Sequence, residues 1–175
     1  MNSLSAIYGI VARDLTRTTR QTSRLLGGVA RPFMWLLLVG TGYNAIARIE
    51  GGMSYQMFVY PGIIVMAALF GAMLTAISTV YDREFGILRL MLASPAGPSA
   101  VLAGRALSAA IIGMLQGAIV LVCAPLLLPI TIGTVAKAVG ALLLACLASS
   151  VLGLLVAVRL RSVENFAGVI NVVLF

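Results

Sequence analysis

Apolar residues run along this chain in long blocks separated by short polar stretches, the blocks falling at about 32–48, 55–80, 101–128 and 137–158. Most are close to the ~20 residues that a helix needs to cross the hydrocarbon layer of a bilayer. The pattern predicts four membrane-spanning helices. Another apolar block covers 165–175, and the sequence ends at Phe175, too soon for a crossing. The expectation is the start of a fifth span in a chain cut short. The fold class expected is all-α, a polytopic membrane helix bundle.

Residues 1–31 carry a different pattern. On a helical wheel of ~100° per residue, Arg13, Arg17, Arg20, Arg24 and Arg31 fall on one stripe, with Leu4, Ile7, Val11, Leu15, Leu25 and Leu26 roughly opposite. This predicts an interfacial amphipathic helix, its cations anchored among lipid phosphates and its apolar side in the acyl boundary. The competing reading is a basic tail with little structure, because Thr16, Thr18, Thr19, Thr22 and Ser23 are poor helix formers. No apolar run followed by a small-residue cleavage site is visible here, so the amino terminus is expected to be retained.

Composition sharpens the class. The chain is 61% hydrophobic and 10% charged, with a mean hydropathy of +1.10, which removes a water-soluble domain from consideration. The net charge of +7 could suggest nucleic acid, but the cations are divided by spans instead of gathered on one soluble face. They report topology. With these spans, 10 of the 12 Lys and Arg residues lie on one side, and only Arg48 and Lys137 on the other. The positive-inside rule therefore predicts a cytoplasmic amino terminus, with segments 81–105 and 159–164 on the same face.

Inside the spans the polar positions are sparse. Arg31-Pro32 suits the first turn of span one, with the arginine snorkelling to the interface. Pro61-Gly62, near the outer end of span two beside Tyr55 and Tyr60, reads as an interfacial cap or as a break shaping an external gate. Gly113 and Gly117 form a GxxxG pair for close helix approach, and Gln116 between them is either interhelical glue or part of a path. Ser149 and Gly153 repeat the small-residue spacing. Cys123 and Cys146 read as small buried hydrophobes, and histidine is absent. No metal site or catalytic residue is expected, and with no ionisable group near the middle of a complete span, ion-coupled carriers and membrane-embedded enzymes are disfavoured.

One stretch departs from the rest: YDREFGILRLMLASPAGP, residues 81–98. A helix over 82–94 would place Asp82, Gly86, Arg89 and Ala93 on a polar or small face and Phe85, Leu88 and Leu92 on an apolar stripe. Asp82 and Glu84 would occupy its first turn, and Ser94-Pro95 and Gly97-Pro98 would end it. Too short to span, such a helix offers apolar side chains for another protein to cover.

YPGIIVMAALFGAML, then YDREFGILRLMLASP, then GRALSAAIIGMLQG resemble the permease subunits of type-2 ATP-binding cassette (ABC) exporters, a family that includes drug, polysaccharide and lipooligosaccharide exporters. The resemblance implies that 82–94 is a coupling helix docking into a separate cytoplasmic ABC ATPase. Asp82, Arg83, Glu84, Phe85, Gly86, Leu88 and Arg89, with Leu92 on the same stripe, would then be its contact residues. It implies six spans in a complete member, a permease homodimer or heterodimer, and residence in a bacterial inner membrane. No GxxxxGK[ST] run occurs, so ATP and Mg would be held by the partner and not by this chain. The expected function is export of a drug-like, lipid-linked or glycan substrate. The alternative is a non-transporting scaffold or assembly subunit.

Overall fold

The structure is a computed structural model describing residues 3–46, 54–123, 132–160 and 162–174. Among the described residues it is all helix. The elements are α1 (Ser3–Arg20), α2 (Thr22–Met34), which passes through a π-helical turn (Trp35–Val39) into α3 (Gly40–Ile46), α4 (Tyr55–Glu84), α5 (Ile87–Leu92), α6 (Pro98–Cys123), α7 (Ile132–Arg159) and α8 (Val163–Leu174). Four segments are long and apolar enough to cross a membrane: Leu25–Tyr43, Tyr55–Glu84, Pro98–Cys123 and Val135–Arg159. Residues 47–53, between the first and second of these segments, and 124–131, between the third and fourth, lie outside the described residues.

Helix α4 is the axis of the bundle, packed against α6 and α7, with α2 and α8 at its sides. Its inward face carries Ala67, Ala68, Gly71, Ala72 and Ala76 among larger residues, and at these small positions neighbouring backbones can come close, which is how helices gain contact where lipid offers no hydrophobic contrast. One apolar cluster joins Leu36, Tyr60, Ile64, Ala67, Ala68, Val120, Leu142 and Cys146. A second, nearer the other end of α4, joins Met73, Ala76, Val80, Ala157 and Phe166. Tyr60 spans the α4–α6 contact, its hydroxyl donating toward the carbonyls of Val120 and Leu121, 3.3 Å each.

The GxxxG pair serves two neighbours. A Cβ on Gly113 would lie 2.8 Å from the Ala68 carbonyl oxygen of α4, whereas one on Gly117 would collide with Leu142 of α7. Gly71 answers Gly113 across the α4–α6 contact, where a Cβ would stand 2.8 Å from the Gly113 Cα. Gln116 is fully buried between Gly28 and Gly71, among helices.

Three expectations change. The amino-terminal segment is not one helix over 1–31: the chain breaks at Gln21, whose backbone leaves the helical region (φ −98°, ψ 70°), and the second helix runs directly into span one. The break falls in the threonine-rich stretch, where side chains compete for backbone carbonyls, as Thr16, Thr18 and Thr19 do. Span one accordingly starts near Leu25, and Arg31 lies inside it, its guanidinium 5.1 Å from the centroid of the Phe70 ring, not at its edge. Finally, α4 runs unbroken through Pro61 and Gly62, both exposed, so a gate built on a break there has no structural basis.

Candidate coupling surface and the ion cluster behind it

The charged stretch lies across a helix end and not at a helix start. Asp82, Arg83 and Glu84 form the last turn of α4, and the chain turns at Phe85 and Gly86 before α5 begins at Ile87. Gly86 adopts φ 75°, ψ −2°, the left-handed conformation that closes a helix with little strain only when no Cβ is present. Its N–H bonds the Arg83 carbonyl (3.2 Å), and its own carbonyl accepts from Arg89 N–H (3.1 Å), so one residue ends α4 and starts α5. Gly97, at φ 80°, makes the next corner, and Pro98 opens α6. Gly86→Ala is expected to lower unfolding free energy by about 1–2 kcal/mol through the left-handed backbone alone; denaturant titration in micelles checks it, with Gly62→Ala, where a Cβ meets nothing within 4 Å, as the control that should not destabilise.

This geometry sorts the proposed contact residues into two groups, an exposed face and a cavity wall, with Arg83, Arg89 and Leu92 shared between them. Phe85 is 73% exposed and Leu90 75%, with Arg83, Glu84, Ile87 and Leu92 also exposed. The Tyr81 and Phe85 rings stack at 6.4 Å, which holds Phe85 against the helix end. Leu88 is half-buried and, with Arg89 and Leu92, lines a cavity of about 390 Å³ between α5 and the bundle. The apolar side chains most open to the outside are therefore Phe85 and Leu90, with Ile87 and Leu92 less so. The stripe of Phe85, Leu88 and Leu92 assumed one continuous helix from Asp82, and the turn at Gly86 re-aims everything after it.

Asp82 belongs to neither group. It is 3% exposed and lies within an ion cluster that joins three helices. Arg105 of α6, 1% exposed, is the hub: its Nη1 donates to Asp14 Oδ2 of α1 at 3.1 Å, and its Nη2 donates to Asp82 of α4. Nη2 also approaches Met91 Sδ of α5 at 3.7 Å. Arg13 completes the cluster, Nη2 donating to Asp82 Oδ2 at 2.5 Å, with its own side chain 40% exposed. Two arginines balance two aspartates, as burial of charge demands. Ile10 packs at Gly104, one residue before Arg105, where the missing Cβ admits it.

Helix α1 is thus a packed part of the bundle, burying Ile10, Asp14 and Thr18 at i, i+4, i+8. Of the proposed anchor arginines, Arg13 is committed to Asp82, Arg17 is half-buried, Arg20 is exposed and Arg31 sits in span one. The side chain of Arg24 is outside the described set. Asp14 was not identifiable as a site residue from periodicity, and Arg105 registered only as a topology cation. The available signal was scarcity: with 5 acids against 12 bases, an aspartate beside buried helix ends has to be paired.

Apolar spans around a small-residue axis, with a short exposed helix braced at one end, define a polytopic α-helical membrane protein. The chain belongs to the ABC-2 type transporter family, whose model matches residues 5–175. It is similar to proteins described as "Putative transport permease ycf38" from Cyanophora paradoxa, 30% identical over 96 residues, and from Pyropia yezoensis, 32% identical over 94 residues. Each alignment covers 53% of this chain and 32% of the relative, about a third of the relatives' length. No solved structure matches the chain significantly.

Proposed function

We propose that this chain is the membrane-spanning permease subunit of an ABC exporter, driven by a separate ATPase that docks on the turn from α4 to α5. The observation that carries the reading is the pair Phe85 and Leu90, large apolar side chains left exposed on an element braced from behind. A free apolar side chain on a floppy loop could bind but not transmit. Here Gly86 fixes the corner, and Arg105 ties α5, through Met91, to α4 and α1. Displacement of α5 by a closing ATPase would reach three helices through one guanidinium.

Orientation follows the charge. The structure gathers Arg13, Arg83, Arg89 and Arg105 around one end of the bundle, with Arg83 Nη1 donating to the Val158 carbonyl near the end of α7 (3.0 Å). The positive-inside rule makes that end cytoplasmic, the face on which an ATPase finds ATP and Mg; in a bacterium this is the inner membrane. Transport by rearrangement requires that the ATPase bind two permease states unequally, and a dimer of permease chains would supply the two docking sites a dimeric ATPase needs. The exported class, drug-like, lipid-linked or glycan, follows from the family resemblance alone.

The test is association of the permease with the ABC ATPase that co-purifies with it. Phe85→Asp and Leu90→Asp are each expected to weaken binding by at least about 30-fold, corresponding to about 2 kcal/mol for an interface anchor, with membrane insertion unchanged. Leu88→Asp, aimed into the cavity, should weaken it less. Normal co-purification of the Phe85→Asp, Leu90→Asp double variant would remove the docking assignment.

A further inference from the structure

The cavity behind α5 has a composition that docking does not use. Its walls include Arg83, Arg89 and Arg105 facing Leu102, Leu154 and Val158, and among the described residues no acidic side chain lines it. Asp14 and Asp82 occupy Arg105 Nη1 and Nη2, but Arg105 Nε is buried with no bonding partner among the described residues. Thr79 Oγ1 is a second orphan on the same wall, in a residue 8% exposed. Its usual helix partner, the Thr75 carbonyl, is already taken by the Ser78 hydroxyl at 2.9 Å. Buried donors without partners mark a place where an acceptor belongs.

The cavity does not end in protein. Leu102, Leu154 and Val158 also border an apolar groove of about 410 Å³ that continues between α6 and α7 past Ala106, Val151 and Leu155. Cationic and hydroxyl donors at one end and a groove of purely aliphatic walls at the other match an amphiphile with an anionic head and a hydrocarbon tail. A soluble anion would leave the groove unused, and a hydrocarbon would leave the donors unpaired.

We propose that this cavity and groove bind one phosphate-headed membrane lipid, its headgroup received by Arg89, Arg83, Thr79 and the free Nε of Arg105 and its acyl chain lying between α6 and α7. The bound lipid packs behind α5 on the side away from Phe85 and Leu90. It thereby joins the coupling surface to α7, whose Leu154, Ala157 and Val158 line the same cavity as Leu88, Arg89 and Leu92.

Native mass spectrometry of the full chain in micelles, with no ATPase present, tests this directly. Phosphatidylglycerol is expected to be retained at one per chain and at least tenfold more tightly than phosphatidylcholine. Arg89→Gln should reduce its retention at least tenfold, and Leu102→Trp, placed at the half-exposed junction of cavity and groove, should do the same while Arg89 is intact. Thermal unfolding of each variant in lipid-free micelles reports whether it folds, and Arg89→Gln, on an exposed side chain, keeps the test decisive if Leu102→Trp does not. Equal retention of the two lipids, or unchanged phosphatidylglycerol retention in folded Arg89→Gln, overturns the site. Displacement of the lipid by millimolar inorganic phosphate overturns the lipid as ligand and leaves an anion pocket. None of these outcomes bears on the docking of Phe85 and Leu90, because no ATPase takes part.

Discussion

Arg105→Met should lower the unfolding free energy of this protein by about 3–5 kcal/mol, the cost of removing one partner from a buried ion pair and leaving the other charge uncompensated. Two carboxylates are stranded at once, Asp14 and Asp82, each 3% exposed. Arg13 can relieve only part of this: it bonds Asp82 at 2.5 Å but reaches Asp14 only at 3.5 Å. Because Arg13 is 40% exposed, Arg13→Gln should cost about 1 kcal/mol or less. The triple variant Arg105→Met, Asp14→Asn, Asp82→Asn should regain most of the loss, since buried ion networks replaced as a whole are often nearly neutral. Titration of unfolding in mixed micelles measures all three. A loss below about 1 kcal/mol for Arg105→Met would mean water reaches the cluster and that it is no brace.

The same series separates stability from coupling. In the triple variant the bundle should be nearly as stable as the parent, yet the charged links from α6 to α1 and α4 are gone. If displacement of α5 travels through Arg105, ATPase binding at Phe85 and Leu90 persists in the triple variant while substrate-stimulated ATP hydrolysis falls. Retention of that stimulation at the parent level would show that backbone continuity through Gly86 suffices.

How much of this was legible follows from the kind of signal each feature leaves. Spans are written in block length and hydropathy, and the blocks at 55–80 and 137–158 lie within α4 and α7. Helix ends are less visible. The run from Asp82 to Leu92 has acceptable helical periodicity throughout, and only the left-handed Gly86 shows that its first three residues close one helix while the rest open another. The wheel over 1–31 failed for the same reason, since a break at Gln21 voids any phase carried across it. The ion cluster was least legible of all, because Asp14, Asp82 and Arg105 are up to 91 residues apart and pairing at that distance leaves no periodic trace. The glycine pair at 113 and 117 was readable as a packing device, but which helix each residue admits was not.

That division of labour sets the second large effect. Gly113→Leu should cost about 3 kcal/mol, at the upper end of what overpacking a close contact produces, because the first added atom already meets a backbone carbonyl, Ala68 O, at 2.8 Å. A carbonyl in mid-helix cannot step aside, and Gly71 on the facing helix leaves no second space, its own Cβ position lying 2.8 Å from the Gly113 Cα. The only relief is separation of α4 from α6, which also pulls Tyr60 from the Val120 carbonyl and opens the seat of Gln116. Gly117→Ala meets instead the tip of Leu142, a side chain that can turn, so its cost should stay near 1 kcal/mol or below. Gly62→Ala, exposed with open space around it, should gain up to about 1 kcal/mol from helix propensity. Thermal unfolding in micelles should rank the variants in that order, and equal effects at Gly113 and Gly117 would show that the α4–α6 backbone contact is looser than the structure places it.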